Sequence, residues 1–497
     1  RPGDPHRWQW QPDRPDPCRR QRQLELHAGH AAGQRHGGQR RGPGPGRQYQ
    51  RPGQHHGGLG GAGRAGVAVV RISGPESKAA FATLSDAQLE PRRAVRMVVK
   101  DKESGDKLDD GLAILFPAPA SFTGEDVVEL HIHGGRAVIA GVVEALGRLR
   151  GLRLAEPGEF TRRAFESGKM DLTAAEGLAD LVAAETEAQR RQAMRQSRGE
   201  LGNLYESWRQ RLTEALAHFE ASIDFSDEEL PSTLAEEVEI ELTSLTDEID
   251  GHLADERRGE RLRDGLHLAV IGPPNVGKST LLNVLAQREA AIVAATAGTT
   301  RDVVEVHLDL AGYPVVIADT AGLRKSNDAV EEEGIRRAHC RARDADMRLA
   351  VFDAEIWPVL DDNTLALIDD NTIIVVNKID LAELGEKLTV AEYDAIPISA
   401  LTGAGIERLL ATLATRVARS FGDMATPAPT RVRHRQALEN CCNALTRAKQ
   451  TAAEHRQAPE LMAEDMRLAI RALGRITGRV DVEDLLDIIF RDFCIGK

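Results

Sequence analysis

The chain contains 497 residues, of which 28% are charged and 41% are hydrophobic, enough for two to four domains with sizeable cores. These proportions exclude a largely disordered chain, and the lack of an eighteen-residue apolar run excludes a transmembrane helix. Five scattered cysteines exclude a disulfide framework, and no signal pattern follows Arg1, so we expect a cytoplasmic protein without a membrane partner.

Residues 1–62 have a composition unlike that of a protein core. The first sixty contain eleven arginines and no Val, Ile, Phe or Met, so we predict that this segment is disordered. It is either a basic arm that binds nucleic acid or a non-native translation, which the abrupt change in composition near residue 61 favours. The chain after residue 60 has 53 basic and 73 acidic residues, so RNA contact there requires a local basic patch or a partner.

Residues 63–168 alternate short apolar runs with turns, which predicts a compact α/β domain. Strands are expected over residues 67–72, 112–116 and 127–133. In the last of these, Glu129, His131 and His133 share one face. These three side chains either line a pocket or simply face solvent.

Helical periodicity begins in residues 169–263 and returns in residues 423–497, whereas residues 264–422 alternate strands with helices. This order predicts that the two helical parts pack together and that the α/β module is inserted between them. Cys441 and Cys442 share a helix face with leucines, so we expect core residues and not a redox pair. The predicted fold class is a multidomain combination of α/β and all-α parts.

A phosphate-binding loop is predicted at residues 272–279, directly after an apolar strand. Its sequence, Gly-Pro-Pro-Asn-Val-Gly-Lys-Ser, matches G-x-x-x-x-G-K-[ST] and is followed by a predicted helix. In such loops the backbone amides face the phosphates, the lysine reaches the β- and γ-phosphates, and the serine binds Mg²⁺. The expected nucleotide contacts here are Asn275, Val276, Gly277, Lys278, Ser279 and Thr280, with Lys278 also serving catalysis.

Four further motifs follow in the order typical of GTP-binding proteins. A polar loop supplies Ala294, Ala295, Thr296, Ala297, Gly298, Thr299 and Thr300, of which Thr300 is expected to contact Mg²⁺. Two predicted strand ends and a last loop supply Asp319, Thr320, Ala321, Gly322, Asn377, Lys378, Ile379, Asp380, Ser399, Ala400 and Leu401. The Asp380 carboxylate can accept two hydrogen bonds from guanine and none from adenine, which predicts GTP and not ATP.

Leu323 follows the Asp-Thr-Ala-Gly motif, where Ras-like enzymes place a glutamine that orients the attacking water. A leucine cannot form that hydrogen bond, so another group must position the water. Acidic residues follow at Asp328, Glu331, Glu332 and Glu333. Any of them can serve, although such a run of charges is also typical of a solvated helix start.

The motifs together closely resemble those of the MnmE (TrmE) family of tRNA modification GTPases. The resemblance rests on residues 272–279, 297–302, 319–324 and the terminal Phe-Cys-Ile-Gly-Lys at 493–497. Residues 121–126 and 157–165 resemble the family's N-terminal domain. The resemblance extends from about Gly66 to Lys497.

This resemblance implies an N-terminal domain that binds a tetrahydrofolate derivative (63–168), a Ras-like G domain (264–422) and a helical domain in two parts (169–263 and 423–497). It also implies that the protein acts with MnmG, a flavoprotein expected to carry FAD and NADH, in a heterotetramer. Together they would install an aminomethyl-type group on the wobble uridine of tRNA. By motif match, the folate contacts would be Arg71, Glu129, Lys169 and Lys497.

The resemblance further implies a homodimer whose paired G domains use K⁺ during GTP hydrolysis. The K⁺ ligands would be Asn275, Ala294, Thr296 and Thr299, and the water-positioning acid would be Glu331. Cys494 is a candidate nucleophile. No neighbouring histidine or helix N-terminus is visible to lower its pKa, so its catalytic role stays open.

One departure from the family lies at the N-terminus. The family begins with a strand just before the segment that matches residues 67–72, whereas the Arg- and Gln-rich segment occupies that position here. If residues 1–60 belong to the native chain, we expect the N-terminal domain to lack this edge strand, which would affect both dimerisation and folate binding.

Two other functions are consistent with the nucleotide motifs. One is an RNA-binding switch in ribosome assembly, although the KH-like or second G domain usual in such proteins is not visible after Phe421. The other is a folate-dependent enzyme in which the G domain is only regulatory.

Overall fold

The computed structural model describes residues 24–28, 65–224, 233–255, 257–288, 291–292, 305–319, 342–383, 385, 388–390, 392–422, 426–454, 459–480, 486 and 489–490. The chain divides into two compact units. The first is Arg1–Met170 with Glu483–Lys497, and the second is Asp171–Val482.

A six-stranded sheet forms the centre of the first unit, in the order β3-β4-β5-β2-β1-β6. Its strands are β1 (Leu24–Ala28), β2 (Ala65–Ser73), β3 (Val95–Lys100), β4 (Lys107–Phe116), β5 (Val127–Gly134) and β6 (Leu152–Leu154). Alternate residues of β2 and β5 are buried, as expected where one face of a sheet packs on a core. The helices of this unit are α1 (Ser77–Leu84), α2 (Arg136–Gly147) and α3 (Glu159–Glu166).

Strand β1 corrects two expectations from the sequence. It lies within the segment predicted to be disordered, and it pairs antiparallel with β2 and parallel with β6. The N-terminal sheet therefore has the additional strand that it was expected to lack, and the strand lies inside the sheet, not at its edge. The reason is local: Leu24 and Leu26 alternate with polar residues, a strand pattern that composition averaged over sixty residues conceals.

Helices on both sides of the inserted module share one hydrophobic core in the second unit. Those before it are α4 (Leu172–Ala183), α5 (Glu187–Ser197), α6 (Glu200–Asp224), α7 (Thr233–Leu253) and α8 (Arg258–Asp264). The core joins Tyr205 and Trp208 of α6 to Leu438 and Cys441, which follow the module. Cys441 and Cys442 are buried, and burial raises the pKa of the Cys441 thiol to about 12, so both behave as core residues.

An eight-stranded, largely parallel sheet forms the inserted module, in the order β13-β14-β12-β11-β7-β10-β9-β8. Its strands are β7 (Leu266–Ile271), β8 (Ala291–Ile292), β9 (Glu305–Leu310), β10 (Tyr313–Asp319), β11 (Met347–Asp353), β12 (Thr372–Asn377), β13 (Thr389–Val390) and β14 (Tyr393–Pro397). All six residues of β12 are buried, as is typical of a central parallel strand. Its helices are α9 (Lys278–Arg288), α10 (Asp362–Leu365) and α11 (Ile406–Phe421).

Two helices after the module, α12 (Val432–Glu454) and α13 (Pro459–Thr477), complete the helical part. A buried carboxylate connects α12 to α4: Glu176 accepts from Arg433 Nε at 2.6 Å and lies 2.9 Å from His434 Nε2. Nearby, Asp180 accepts from Arg263 at 3.2 Å and from Arg431 at 2.8 Å. In the described part of the chain, no helix combines the length and apolarity that a membrane crossing requires.

Candidate nucleotide-binding site

The predicted phosphate-binding loop connects β7 to α9, as the motif requires. Gly272 and Gly277 have φ angles of +145° and +93°, and Asn275 has a φ of +63°. A Cβ atom on Gly272 would lie 2.3 Å from the carbonyl oxygen of Val351, and one on Gly277 would lie 2.3 Å from the Asn377 amide nitrogen. Only glycine fits these two positions, which leaves the loop backbone free to face a phosphate group.

Lys278 begins α9, and its ammonium group lies against the same loop. It donates at 2.8 Å to the carbonyl oxygens of both Gly272 and Pro273, and the residue is 9% exposed. The lysine therefore reaches back over the loop and holds a positive charge where phosphate oxygens would lie. Ser279 follows in the first turn of the helix.

Asn377, at the end of β12, connects the phosphate loop to the base-recognition motifs. Its amide nitrogen donates to the Val276 carbonyl at 2.8 Å, and its amide oxygen accepts from the Ala400 backbone at 2.9 Å. Ser399 is buried, and its hydroxyl accepts from the Thr402 backbone at 3.1 Å. Four predicted site residues from three separate motifs are thus brought together.

Lys378 has an unpredicted pair of acidic partners. Its ammonium donates to Asp353 at 2.6 Å and to Glu355 at 3.4 Å, and the hydrogen bond to Asp353 raises the pKa of Lys378. Asp353 ends β11, which pairs in parallel with β12. Because carboxyl ends of neighbouring parallel strands meet at one edge, Asp353 would have been predictable once the strand order was known.

The remaining predicted nucleotide contacts differ in how far the structure describes them. Asp380 and Leu401 are exposed at the surface, where a base can reach them. Asp319 ends β10 and pairs in register with Val270 of β7, and Val270 lies two residues before the start of the phosphate loop. Residues 294–300, residues 320–322, Leu323, Glu331, Cys494 and Lys497 lie outside the described residues.

Two of the predicted folate contacts meet in the first unit. Arg71 Nε donates to Glu129 at 2.8 Å across the paired strands β2 and β5, and His131 lies 3.3 Å from the second carboxylate oxygen. Lys169 instead donates to the carbonyl oxygen of Pro119. His133 pairs with Asp109 at 2.8 Å. The described residues contain no cluster of three or more metal-ligating side chains, so the two histidines of β5 form no such centre there.

A second polar network in this unit was not among the predicted site residues. Glu125 accepts from Arg163 at 2.6 Å and from the Ser73 hydroxyl at 3.0 Å. Ser167 donates to the Thr123 carbonyl at 2.8 Å. Apart from Ser73, which ends β2, these residues come from, or lie beside, the motifs at 121–126 and 157–165, so those motifs fold against each other.

The geometry of this site defines the class of protein. A glycine-restricted phosphate loop lies between a buried parallel strand and a helix, and one asparagine holds it to the base-recognition loops. These are the features of a P-loop GTP-binding protein, here with a second α/β unit and a helical part.

Comparisons with known proteins identify the family. A family model described as the MnmE helical domain matches residues 172–494, and one described as the GTP-binding protein TrmE N-terminus matches residues 59–169. The "tRNA modification GTPase MnmE" of Parvibaculum lavamentivorans is 58% identical over 438 residues, covering 88% of this chain and 98% of that protein. The protein of the same name from Rhodospirillum rubrum is 54% identical over 449 residues, with 88% and 97% covered.

A mitochondrial relative in Danio rerio, "5-taurinomethyluridine-[tRNA] synthase subunit GTPB3", is 47% identical over 462 residues, covering 88% of this chain and 92% of that protein. The chain belongs to the MnmE family of tRNA modification GTPases, as its motifs predict.

Proposed function

We propose that the chain hydrolyses GTP in a K⁺-dependent reaction. With an MnmG-like flavoprotein that carries FAD and NADH, it would modify the wobble uridine of tRNA with a one-carbon unit from tetrahydrofolate. GTP binding is supported by the hydrogen bonds of Asn377. Its side chain donates to the Val276 carbonyl of the phosphate loop at 2.8 Å and accepts from the Ala400 backbone, in the Ser399–Leu401 motif, at 2.9 Å. Family membership supports the tRNA part and disfavours the ribosome-assembly alternative.

The chain's own residues account for nucleotide binding. The loop around Gly277 offers backbone amides to the phosphates, Lys278 offsets their charge, and Asp380 accepts hydrogen bonds from the guanine base. Ser279 and Thr300 would hold Mg²⁺, which stabilises charge on the phosphate oxygens. Gly272 and Gly277 support the fit, because a Cβ atom at either position would lie 2.3 Å from the Val351 carbonyl oxygen or the Asn377 amide nitrogen and would force the loop backbone to shift.

Hydrolysis requires a water to attack the γ-phosphorus while the bond to the β-phosphate oxygen breaks. Leu323 cannot orient that water, so we assign this role to Glu331. Asn275 would offer a side-chain oxygen to K⁺, with Ala294, Thr296 and Thr299 supplying others. When bound, the ion supplies positive charge beside the phosphates, in a homodimer of paired G domains.

Turnover of GTP in K⁺ and in Na⁺ at equal ionic strength tests the mechanism. We expect faster turnover in K⁺ and loss of that difference in Asn275→Ala. The matched control is Asn371→Ala, an exposed asparagine of the same module. Equal turnover in the two salts would reject the K⁺-assisted mechanism, while leaving GTP hydrolysis itself intact.

The tRNA function is tested by mass analysis of wobble nucleosides from cells that lack this protein. The modified uridine should disappear, return with the wild-type gene, and fail to return with Lys278→Ala. Full restoration by Lys278→Ala would show instead that the G domain is only regulatory. Restoration by Cys494→Ser would exclude the thiol as a nucleophile.

The folate proposal rests on the Arg71–Glu129 pair, whose side chains are 33% and 17% exposed. A carboxylate in this position suits a pterin amine, and cations suit the carboxylates of a folate. Lys169 and Lys497 would add positive charge. Calorimetric titration with a tetrahydrofolate derivative should show binding that Arg71→Gln weakens and that Arg96→Gln, on β3, leaves unchanged.

A further inference from the structure

Asp353 holds the side chain of Lys378, one of the expected nucleotide contacts. It is the last residue of β11 and lies in register with Asn377, the last residue of β12. One Asp353 oxygen accepts from the Lys378 ammonium at 2.6 Å. The other accepts from the Glu355 backbone at 3.0 Å, in the turn that follows β11. Both oxygens are therefore occupied, as expected of a carboxylate in a residue that is only 8% exposed.

Glu355 adds a weaker contact to the same ammonium group. Its carboxylate lies 3.4 Å from Lys378 Nζ, and its side chain is 50% exposed, against 10% for Asp353. A long ion pair at the surface is weakened by water and by salt. The buried aspartate, and not the glutamate, therefore determines where the ammonium group lies.

The backbone of Lys378 is also held in an unusual conformation. Its φ of +66° lies in the left-handed region, which is unfavourable for a residue with a Cβ atom and persists only where the surroundings enforce it. The Leu381 amide donates to the Lys378 carbonyl at 2.9 Å, and the Ile379 amide donates to the Ile398 carbonyl at 3.2 Å. Lys378 is thus fixed at its backbone and at the end of its side chain, which leaves the methylene stem between them little freedom.

Lys378 lies between two residues with roles in the proposed nucleotide binding. Asn377 precedes it and joins the phosphate loop to the last base-recognition motif, and Asp380, two positions later, is the expected acceptor for guanine. The Lys378 side chain is 27% exposed, so part of its stem is available to a ligand. A lysine stem can lie along a flat apolar surface such as a base while its ammonium group keeps a polar partner.

We propose that Asp353 is a positioning residue for the guanine nucleotide and that it acts through Lys378. It holds the ammonium group before the nucleotide arrives, so the stem of Lys378 is already ordered beside the base and binding does not pay that entropy. The nucleotide then dissociates more slowly than it would from a chain with an unrestrained lysine. This inference rests on the proposed GTP binding, and it adds a residue that the five nucleotide motifs do not contain.

Stopped-flow displacement of a fluorescent GDP analogue from the full chain tests the inference. Asp353→Ala should raise the dissociation rate about three- to tenfold, with little change in the association rate. Asp353→Asn keeps an oxygen acceptor and should raise the dissociation rate less, so the test does not depend on the folding of the alanine variant alone. The matched control is Asp394→Ala, at an exposed aspartate of β14, which should stay within about twofold of wild type.

A double variant separates positioning from a general loss of stability. Lys378→Met keeps a stem and removes the ammonium group that Asp353 holds, so the addition of Asp353→Ala should not raise the dissociation rate further. Effects that multiply in the double variant would show a merely structural role for Asp353 and overturn the proposal. Unchanged dissociation from Asp353→Ala would also overturn it, as would slower dissociation, which would mean that the carboxylate competes with the nucleotide for Lys378. A wild-type chain that does not bind the GDP analogue would instead reject the proposed function, and this inference with it.

Discussion

The side-chain amide of Asn377 bonds the carbonyl oxygen of Val276, which lies 101 positions earlier in the chain. The amide oxygen of Asn377 accepts a hydrogen bond from the backbone N–H of Ala400. A single buried side chain thus sets the spacing between the loop for phosphates and the loop for the base. Both hydrogen bonds lie out of solvent, so neither is easily replaced by water.

Asn377→Ala removes both hydrogen bonds and leaves a buried carbonyl and a buried amide without partners. We expect a loss of about 1–3 kcal/mol in unfolding free energy and a GDP affinity reduced about tenfold or more. Urea denaturation and titration with a fluorescent GDP analogue measure the two effects. Asn371→Ala, at an exposed position, is the control; an unchanged GDP affinity in Asn377→Ala would contradict the assignment.

Gly277→Ala should abolish nucleotide binding. Its φ of +93° is strained for alanine, and the new Cβ would lie 2.3 Å from the Asn377 amide nitrogen. The phosphate loop must therefore shift. Fluorescent GDP titration checks this, with far-ultraviolet circular dichroism to show that the chain still folds; wild-type affinity would refute the loop geometry.

Gly251→Ala, in contrast, should stabilise the fold. Gly251 lies inside α7, and an added Cβ meets nothing within 4 Å. Alanine favours a helix by about 0.5–1 kcal/mol over glycine, so the unfolding free energy should rise by that amount. GDP affinity should stay constant, and a fall in stability would show that α7 is not regular at this position.

Asp380→Asn should change base specificity. The amide loses one acceptor for the guanine N–H groups and gains a donor that suits the carbonyl of xanthine. We expect GTP affinity to fall about 100-fold or more and xanthosine triphosphate to bind instead. Competition titrations with both nucleotides measure this, and Asp394→Asn, also exposed, is the matched control.

Glu176→Gln should destabilise the helical part. Burial opposes the charged form of Glu176, which is 1% exposed, but Arg433 and His434 outweigh this effect and hold its pKa well below its usual range. Neutralising the carboxylate leaves the Arg433 charge without its partner, at a cost of about 3–5 kcal/mol. Urea denaturation measures the loss, and the exposed Glu439→Gln should stay within about 0.5 kcal/mol of wild type.

Two buried histidines should make stability depend on pH. Burial lowers the pKa of both His434 and His252 to about 4, below the value near 6.5 of an unfolded histidine. Between these values the unfolded chain binds more protons, so stability falls as pH drops from about 6.5 to 4, by up to about 3 kcal/mol for each histidine. Denaturation across this range should give a shallower slope for His434→Gln, and an unchanged slope for the exposed His218→Gln.

The sequence predicted those parts of the site that are local in the chain. The phosphate loop and Asn377 follow apolar strands directly, so pattern alone locates them. Asp353 and Glu355 were missed because their contact with Lys378 depends on which strands are neighbours. Glu176 was missed for the same reason, since its partners lie 257 and 258 positions later.

The Asp180 carboxylate accepts hydrogen bonds from Arg263, which lies just before the inserted module, and from Arg431, which lies just after it. The two ends of the insertion are therefore fastened to one carboxylate, and the helices on either side already share a core. The chain therefore leaves the helical part and returns to it at the same carboxylate, so the helical core forms across the insertion without a break.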